Sequence, residues 1–172
     1  MLRCGISYKH GFVATLSLLI VVVLCATHAY AQEDDPVQTK LIAETLQTTD
    51  ARDGKRSQRF VPATVLTQGQ VVFYTLQIRN PTSVPVRDVT VVQRIPNNTT
   101  YVAGSAAGPS ADVTFSVDGG QSYWPEKELV VVKPPAEARK ATTADYTHIR
   151  WQLRNALAPG AVALARFQAV FR

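Results

Sequence analysis

The sequence has 172 residues, 46% of them apolar and 18% charged, with 9 Gly and 10 Pro. These proportions exclude a collagen-like, low-complexity or disordered chain, and the length suits one domain or two small ones. The formal charge of +5 (18 basic, 13 acidic) falls to +3 once Arg3 and Lys9 of a leading segment are set aside (16 against 13), and these charges are spread along the chain rather than clustered as a nucleic-acid footprint requires.

Residues 1–31 read as an export signal. Arg3 and Lys9 supply a positive start, an apolar stretch runs from Gly11 to Ala26, and Ala29-Tyr30-Ala31 is the small-x-small pattern of a cleavage site. That stretch is shorter than the ~20 residues that span a bilayer, so a membrane enters only if the signal stays uncleaved as an anchor. Both cysteines, Cys4 and Cys25, fall inside it, and Leu24 is too large for Cys25 to be a lipidation site. The mature chain is then expected to be cysteine-free, with no disulfide, thiolate nucleophile or cysteine-ligated metal. Residues 32–36 form a short acidic lead.

The remainder, 37–172, alternates with a period of two, which predicts strands. Val37, Thr39, Leu41 and Ala43 form the first, and a turn at Asp50–Gly54 precedes Arg59-Phe60-Val61. From Gln70 to Asn80, Val72, Tyr74, Leu76 and Ile78 share one face, and Asn80-Pro81 stops the strand. Val89 and Val91 alternate with Asp88 and Thr90 in the next strand, which ends at Ile95-Pro96, and Asn97–Thr100 reads as a turn despite its glycosylation sequons. Val113, Phe115 and Val117 define a strand that Asp118-Gly119-Gly120 turns back towards Tyr123 and Trp124, the clearest hairpin signal in the chain. Leu129–Val132 is a short strand closed by Pro134-Pro135, and one helical turn is expected at Thr143–Tyr146. Ile149, Trp151 and Leu153 alternate in the strand that follows. After Pro159-Gly160 the strand from Val162 to Phe171 turns Ala165, Phe167, Ala169 and Phe171 inwards. Short strands with frequent turn signals, and neither repeat nor linker, predict an all-β, antiparallel sandwich of one domain. Its core is expected to contain Val72, Tyr74, Leu76, Ile78, Val89, Val91, Phe115, Trp151, Leu153 and Phe167.

The ordered set Pro62-Ala63-Thr64, Gly69, Tyr74-Thr75-Leu76, Asn80, Val89, Ile95-Pro96, Tyr101–Ser105, Phe115–Gly120 and Asp145–Trp151 resembles the bacterial conserved-repeat domain. Leu157-Ala158-Pro159-Gly160 and Phe167 match that family's final turn and strand. The resemblance covers 37–172 and implies an immunoglobulin-like fold. It also implies a structural module of exported, cell-surface or envelope proteins, with no established catalytic residues to carry over. Relatives often hold several copies where this chain has one, and often an acidic residue where it has Gln93.

Four chemistries could be carried by these residues. His148 follows Asp145 by three positions, but no nucleophile elbow accompanies them, so no catalytic residue is expected. One histidine in the mature chain cannot make a zinc site. Asp112, Asp118, Asp145 and the Glu33-Asp34-Asp35 run hold oxygens that suit calcium, but in no recognisable loop spacing, so no metal or cofactor is expected. Tyr123, Trp124 and Tyr146, with His148 nearby, form the candidate ligand or partner surface, with stacking on sugar rings as its chemistry. Sheet edges are the remaining feature: Pro85, Arg87 and Asp88 blunt one edge, whereas Val37–Gln47 is a candidate for strand addition to a neighbouring molecule.

The sequence thus predicts a non-catalytic structural or protein-interaction module, exported to the periplasm or cell surface. Its expected partners are other envelope proteins or copies of itself meeting at sheet edges, without nucleic acid. A carbohydrate-binding module and a subunit of a strand-addition assembly are the alternatives.

Overall fold

Alternating side chains make a strand only if one face can dry out. In β3 (Val71–Arg79), Val72, Tyr74, Leu76 and Ile78 are buried, while Val71, Phe73, Thr75 and Gln77 take the other side. The same device builds β9 (His148–Leu153) around Ile149, Trp151 and Leu153, and β10 (Val162–Phe171) around Ala163, Ala165, Phe167 and Ala169. The computed structural model describes residues 36–50, 56–132 and 137–172, which belong to one compact unit. The export signal, the acidic lead up to Asp35, the turn at 51–54 and Pro134-Pro135 lie outside the described residues.

The other strands are β1 (Gln38–Asp50), β2 (Arg56–Pro62), β4 (Thr90–Arg94), β5 (Thr99–Tyr101), β6 (Ala111–Ser116), β7 (Val130–Val131) and β8 (Arg139–Lys140). Two single 3₁₀ turns, Glu126–Glu128 and Thr143–Asp145, are the helical content of the described residues. No described helix is long and apolar enough to cross a membrane. All pairings are antiparallel: a five-stranded sheet in the order β2-β1-β3-β10-β5, a three-stranded sheet β4-β9-β6, and the small pair β7-β8.

One core joins the two larger sheets. Tyr74 of β3 stacks on Phe167 of β10 at 4.8 Å, and Trp151 of β9 packs across the gap on Phe167 at 6.2 Å. Tyr101 of β5 likewise meets Phe115 of β6 at 5.2 Å. Every residue expected in the core is buried. The Trp151 indole Nε1 has no hydrogen-bond partner among the described residues, so the ring contributes as an apolar plate.

Asn80 locks the end of the domain where β3 stops. Fully buried, its Nδ2 donates to the Leu157 and Val84 carbonyls, both at 2.8 Å, and its Oδ1 accepts from Thr82 N at 2.9 Å and Thr82 Oγ1 at 2.7 Å. The bonds to Thr82 make a local Asx turn, and the bond to Leu157 adds a tie to the distant turn before β10.

The structure departs from the sequence expectations in one place. Thr99 and Thr100 are not turn residues: with Tyr101 they form β5, which pairs with β10 at Ala169–Phe171. The expected first strand is present as β1, which begins at Gln38 and pairs with β3 over Gln38–Thr45. Leu41 of β1 is 37% exposed, because the three-stranded layer is narrower than the five-stranded one and leaves the flank of β1 uncovered.

That overhang continues as a ribbon. After Thr45, β1 leaves β3 and pairs only with β2, through five rungs from Leu46↔Phe60 to Asp50↔Arg56. All ten of these residues are exposed. Five rungs at about 3.4 Å carry the ribbon about 17 Å past the sheet. Polar pairs pin it: Arg59 donates to Gln47 at 3.1 Å, Gln58 to Thr48 at 3.4 Å, and Arg56 faces Asp50 at 3.2 Å. At its base Phe60 sets its ring edge-on to Phe73, at 5.1 Å, and remains 54% exposed.

Candidate functional site

The buried hydroxyl of Ser116 ends β6 and organises the loop after it. Ser116 Oγ donates to Asp118 Oδ1 at 2.6 Å and accepts from Gly120 N at 2.9 Å. The Asp118 carboxylate also accepts from the backbone of Gln121 and Ser122, at 3.0 and 3.1 Å, and from Ser122 Oγ at 2.5 Å. These hydroxyls, Ser116 first, hold its proton affinity well below the usual carboxylate range, so it stays ionised and turned into its own loop. Gly120 has φ +92°, and a Cβ there would meet Tyr123 Oη at 3.1 Å, so the turn demands glycine. Beyond it Phe115 and Trp124 exchange both backbone hydrogen bonds at 2.9 Å, which closes the hairpin legible in the sequence.

The four candidate surface residues do not form one platform. Tyr146 is buried, stacked on Tyr101 at 5.4 Å and packed on Phe115 at 5.2 Å, and burial chiefly pushes its hydroxyl up to about 12. Tyr123 is half-buried, with the Arg150 guanidinium over its ring at 4.5 Å; Thr114 Oγ1 accepts from Arg150 Nε and holds that arginine in place. Trp124 is 52% exposed and borders a groove of about 620 Å³. Val117, Val130 and Val132 supply its apolar wall, and Asp118, Ser122 and Glu128 its polar one.

His148 opens instead onto a second cleft, of about 550 Å³, on the other side of the Asp118–Gly120 turn. Its Nδ1 lies 3.1 Å from Thr147 Oγ1, which also accepts from Gly119 N at 3.2 Å. Burial first, then the nearby Arg94 charge, lower the imidazole's proton affinity, and Asp118 opposes them. Arg94, Asn97, Asn98 and Arg172 complete the rim. Sequence reasoning missed these four: Arg94 and Arg172 lie far apart in the chain and only the strand order brings them together.

Of the oxygens considered for calcium, Glu33, Asp34 and Asp35 lie outside the described residues, and the other three carboxylates are separately engaged. Arg154 pairs with Asp112, Asp118 is held as above, and Asp145 accepts from Arg139 Nη1 and Nη2 at 2.8 and 2.7 Å and from Thr142 N at 2.8 Å. The Arg139 hydrogen bonds keep Asp145 well below the usual carboxylate range. Asp145 therefore addresses Arg139 and not His148, whose ring nitrogen addresses Thr147, so the pair makes no relay. Among the described residues no three His, Asp or Glu side chains gather around a common point.

No protein-family model matches this chain, and a search of curated proteins finds no match either. The resemblance to the conserved-repeat domain therefore rests on the ordered residues quoted above.

Proposed function

We propose that the chain is a non-catalytic, immunoglobulin-like β-sandwich module that works by binding other proteins of the bacterial cell envelope or extracellular space, delivered there by the signal in residues 1–31. The β1–β2 ribbon carries this reading. A two-stranded ribbon with both faces in water gains little from burial and is marginal by itself. Ten exposed residues pinned rung by rung suit an arm that a partner covers.

The test is to shorten the arm without touching the body. Replacing residues 48–58 by Asn-Gly joins Gln47 to Arg59, which are already opposite each other, through a two-residue hairpin turn. The chain recovered from native cell fractions is expected to have the mass of residues 32–172 and to sediment in a complex larger than one chain. The shortened variant should keep its far-ultraviolet dichroism and sediment alone. Equal sedimentation of the two would refute the role of the arm.

A second reading follows from Trp124. An exposed indole beside Glu128 suits a sugar whose C–H face stacks on the ring while a hydroxyl donates to that carboxylate. Quenching of Trp124 fluorescence by an envelope glycan, lost in Trp124→Ala, would favour it.

A further inference from the structure

We infer that the cleft between Arg94, Asn97 and His148 binds a tetrahedral oxyanion, a phosphate or sulfate group. Its walls hold two guanidinium groups and an imidazole, and none of its lining residues is Asp or Glu. Three arginines elsewhere on the domain face a carboxylate: Arg56 with Asp50, Arg139 with Asp145, and Arg154 with Asp112. Among the described residues Arg94 and Arg172 pair with no carboxylate and bond neutral acceptors instead.

Both are nevertheless held in position by neutral acceptors. Arg94 Nη2 donates to Asn97 Oδ1 at 3.0 Å, and Arg172 Nη2 donates to Thr99 O at 3.1 Å while its Nε donates to Thr100 Oγ1. Each bond fixes one side of the planar fork and leaves further N–H groups for a ligand. Asn97, with its Oδ1 occupied, presents its amide N–H groups. The turn that carries it is itself rigid: Asn98 takes φ +59°, and its carbonyl accepts from Arg172 N at 2.8 Å. Thr147 Oγ1, whose own proton goes to Ser116, accepts from His148 Nδ1, so the ring's Nε2 donates to an anion only once the imidazole is protonated. Asp118, the acid closest to this histidine's electrostatics, is engaged by Ser116, Ser122 and two backbone amides.

Fixed, unpaired guanidinium forks match the geometry of phosphate and sulfate oxygens, and they match it without the reorganisation a flexible lysine needs. A volume of about 550 Å³ exceeds a bare ion and leaves room for the alcohol of an ester. The anion is therefore either free or an ester carried by a sugar or polymer. This site uses none of the residues of the ribbon, so it stands or falls apart from the proposed function.

Amide chemical shifts of the purified chain, followed while inorganic phosphate and then glucose 6-phosphate are added, provide the test. Saturable movement of the Asn97, Asn98 and Gly119 signals is expected, with a dissociation constant of about a millimolar at low salt. Arg94→Gln and Arg172→Gln should each weaken it about tenfold. Arg94→Lys should recover part of the loss, and Arg154→Gln should leave binding unchanged. Tighter binding of the ester than of free phosphate identifies an ester as the ligand, and equal binding identifies the free ion. Shifts that stay linear in concentration, or that are the same in Arg94→Gln, would overturn the inference. Unaltered signals outside the cleft show that a variant has kept its fold.

Discussion

Removing the Asn80 side chain amide should destabilise the domain more than any other single polar substitution described. Asn80→Ala deletes four hydrogen bonds, two of them to carbonyls at 2.8 Å. At about 0.5–1.5 kcal/mol each, four bonds amount to roughly 2–6 kcal/mol. The lower half of that range applies, because Leu157 O keeps the Val86 amide and Val84 O keeps the Thr82 hydroxyl. The expected loss is about 3 kcal/mol, or a Tm lower by roughly 10 °C for a domain of this size. Urea unfolding followed by tryptophan fluorescence measures it. Asn80→Asp separates the hydrogen bonds from the space: its carboxyl would face the same two carbonyls and must hold a proton to stay folded. An acid whose proton affinity is raised on folding loses stability as pH climbs through its unfolded value near 4, so the aspartate variant should be weaker at pH 7 than at pH 4. The alanine variant should show no such additional slope. An Asn80→Ala protein within 1 kcal/mol of wild type would mean that water replaces these bonds and that the tie between the two turns is not a source of stability.

Three further outcomes are expected. A Cβ at Gly108 would sit 3.0 Å from Trp151 Cδ1, and the fully buried indole cannot retreat, so Gly108→Ala should lower stability by about 1–3 kcal/mol in thermal melts. Burial and Arg94 lower the proton affinity of His148 on folding, so the unfolded chain binds more protons there; stability should fall as pH drops from about 7 towards 5, and His148→Gln should flatten that slope in denaturant titrations at the two pH values. Asp118→Ala removes the acceptor for the Gln121 and Ser122 amides, which should exchange faster with deuterium while the Phe115 and Trp124 amides keep their protection.

The strands that were legible in the sequence are those with one dry face. Val72–Ile78 and Ile149–Leu153 advertise their burial through alternation alone, and the Ala165/Phe167/Ala169 side of β10 proved to be the inner one despite Val162 and Leu164 opposite. β5 and β8 were not legible, because three and two residues hold too little period to read and each exists only through its partner strand. The ribbon was not legible for a different reason: β1 beyond Leu46 is polar on both faces, so no pattern marks it as a strand. At the candidate site, Asp118-Gly119-Gly120 gave the hairpin and Trp124 its exposed ring. The cleft at His148 was invisible because His148 and Arg172 join the local pair Arg94 and Asn97 through strand order and not through spacing.

The order of strands also governs when the fold becomes available. β3 ends at Arg79, its neighbour β10 begins at Val162, and β5 has no other partner in the five-stranded sheet. During synthesis, everything from β3 to β9 must therefore emerge before the middle of that sheet can close, and one side of β3 and the whole of β5 wait unpaired meanwhile. Such late, distant pairing slows folding and lengthens the time in which open edges can capture a wrong strand. A chain truncated before Val162 would lack Ala163, Ala165, Phe167 and Ala169 from its interior, and would remain an aggregation hazard rather than a smaller working domain.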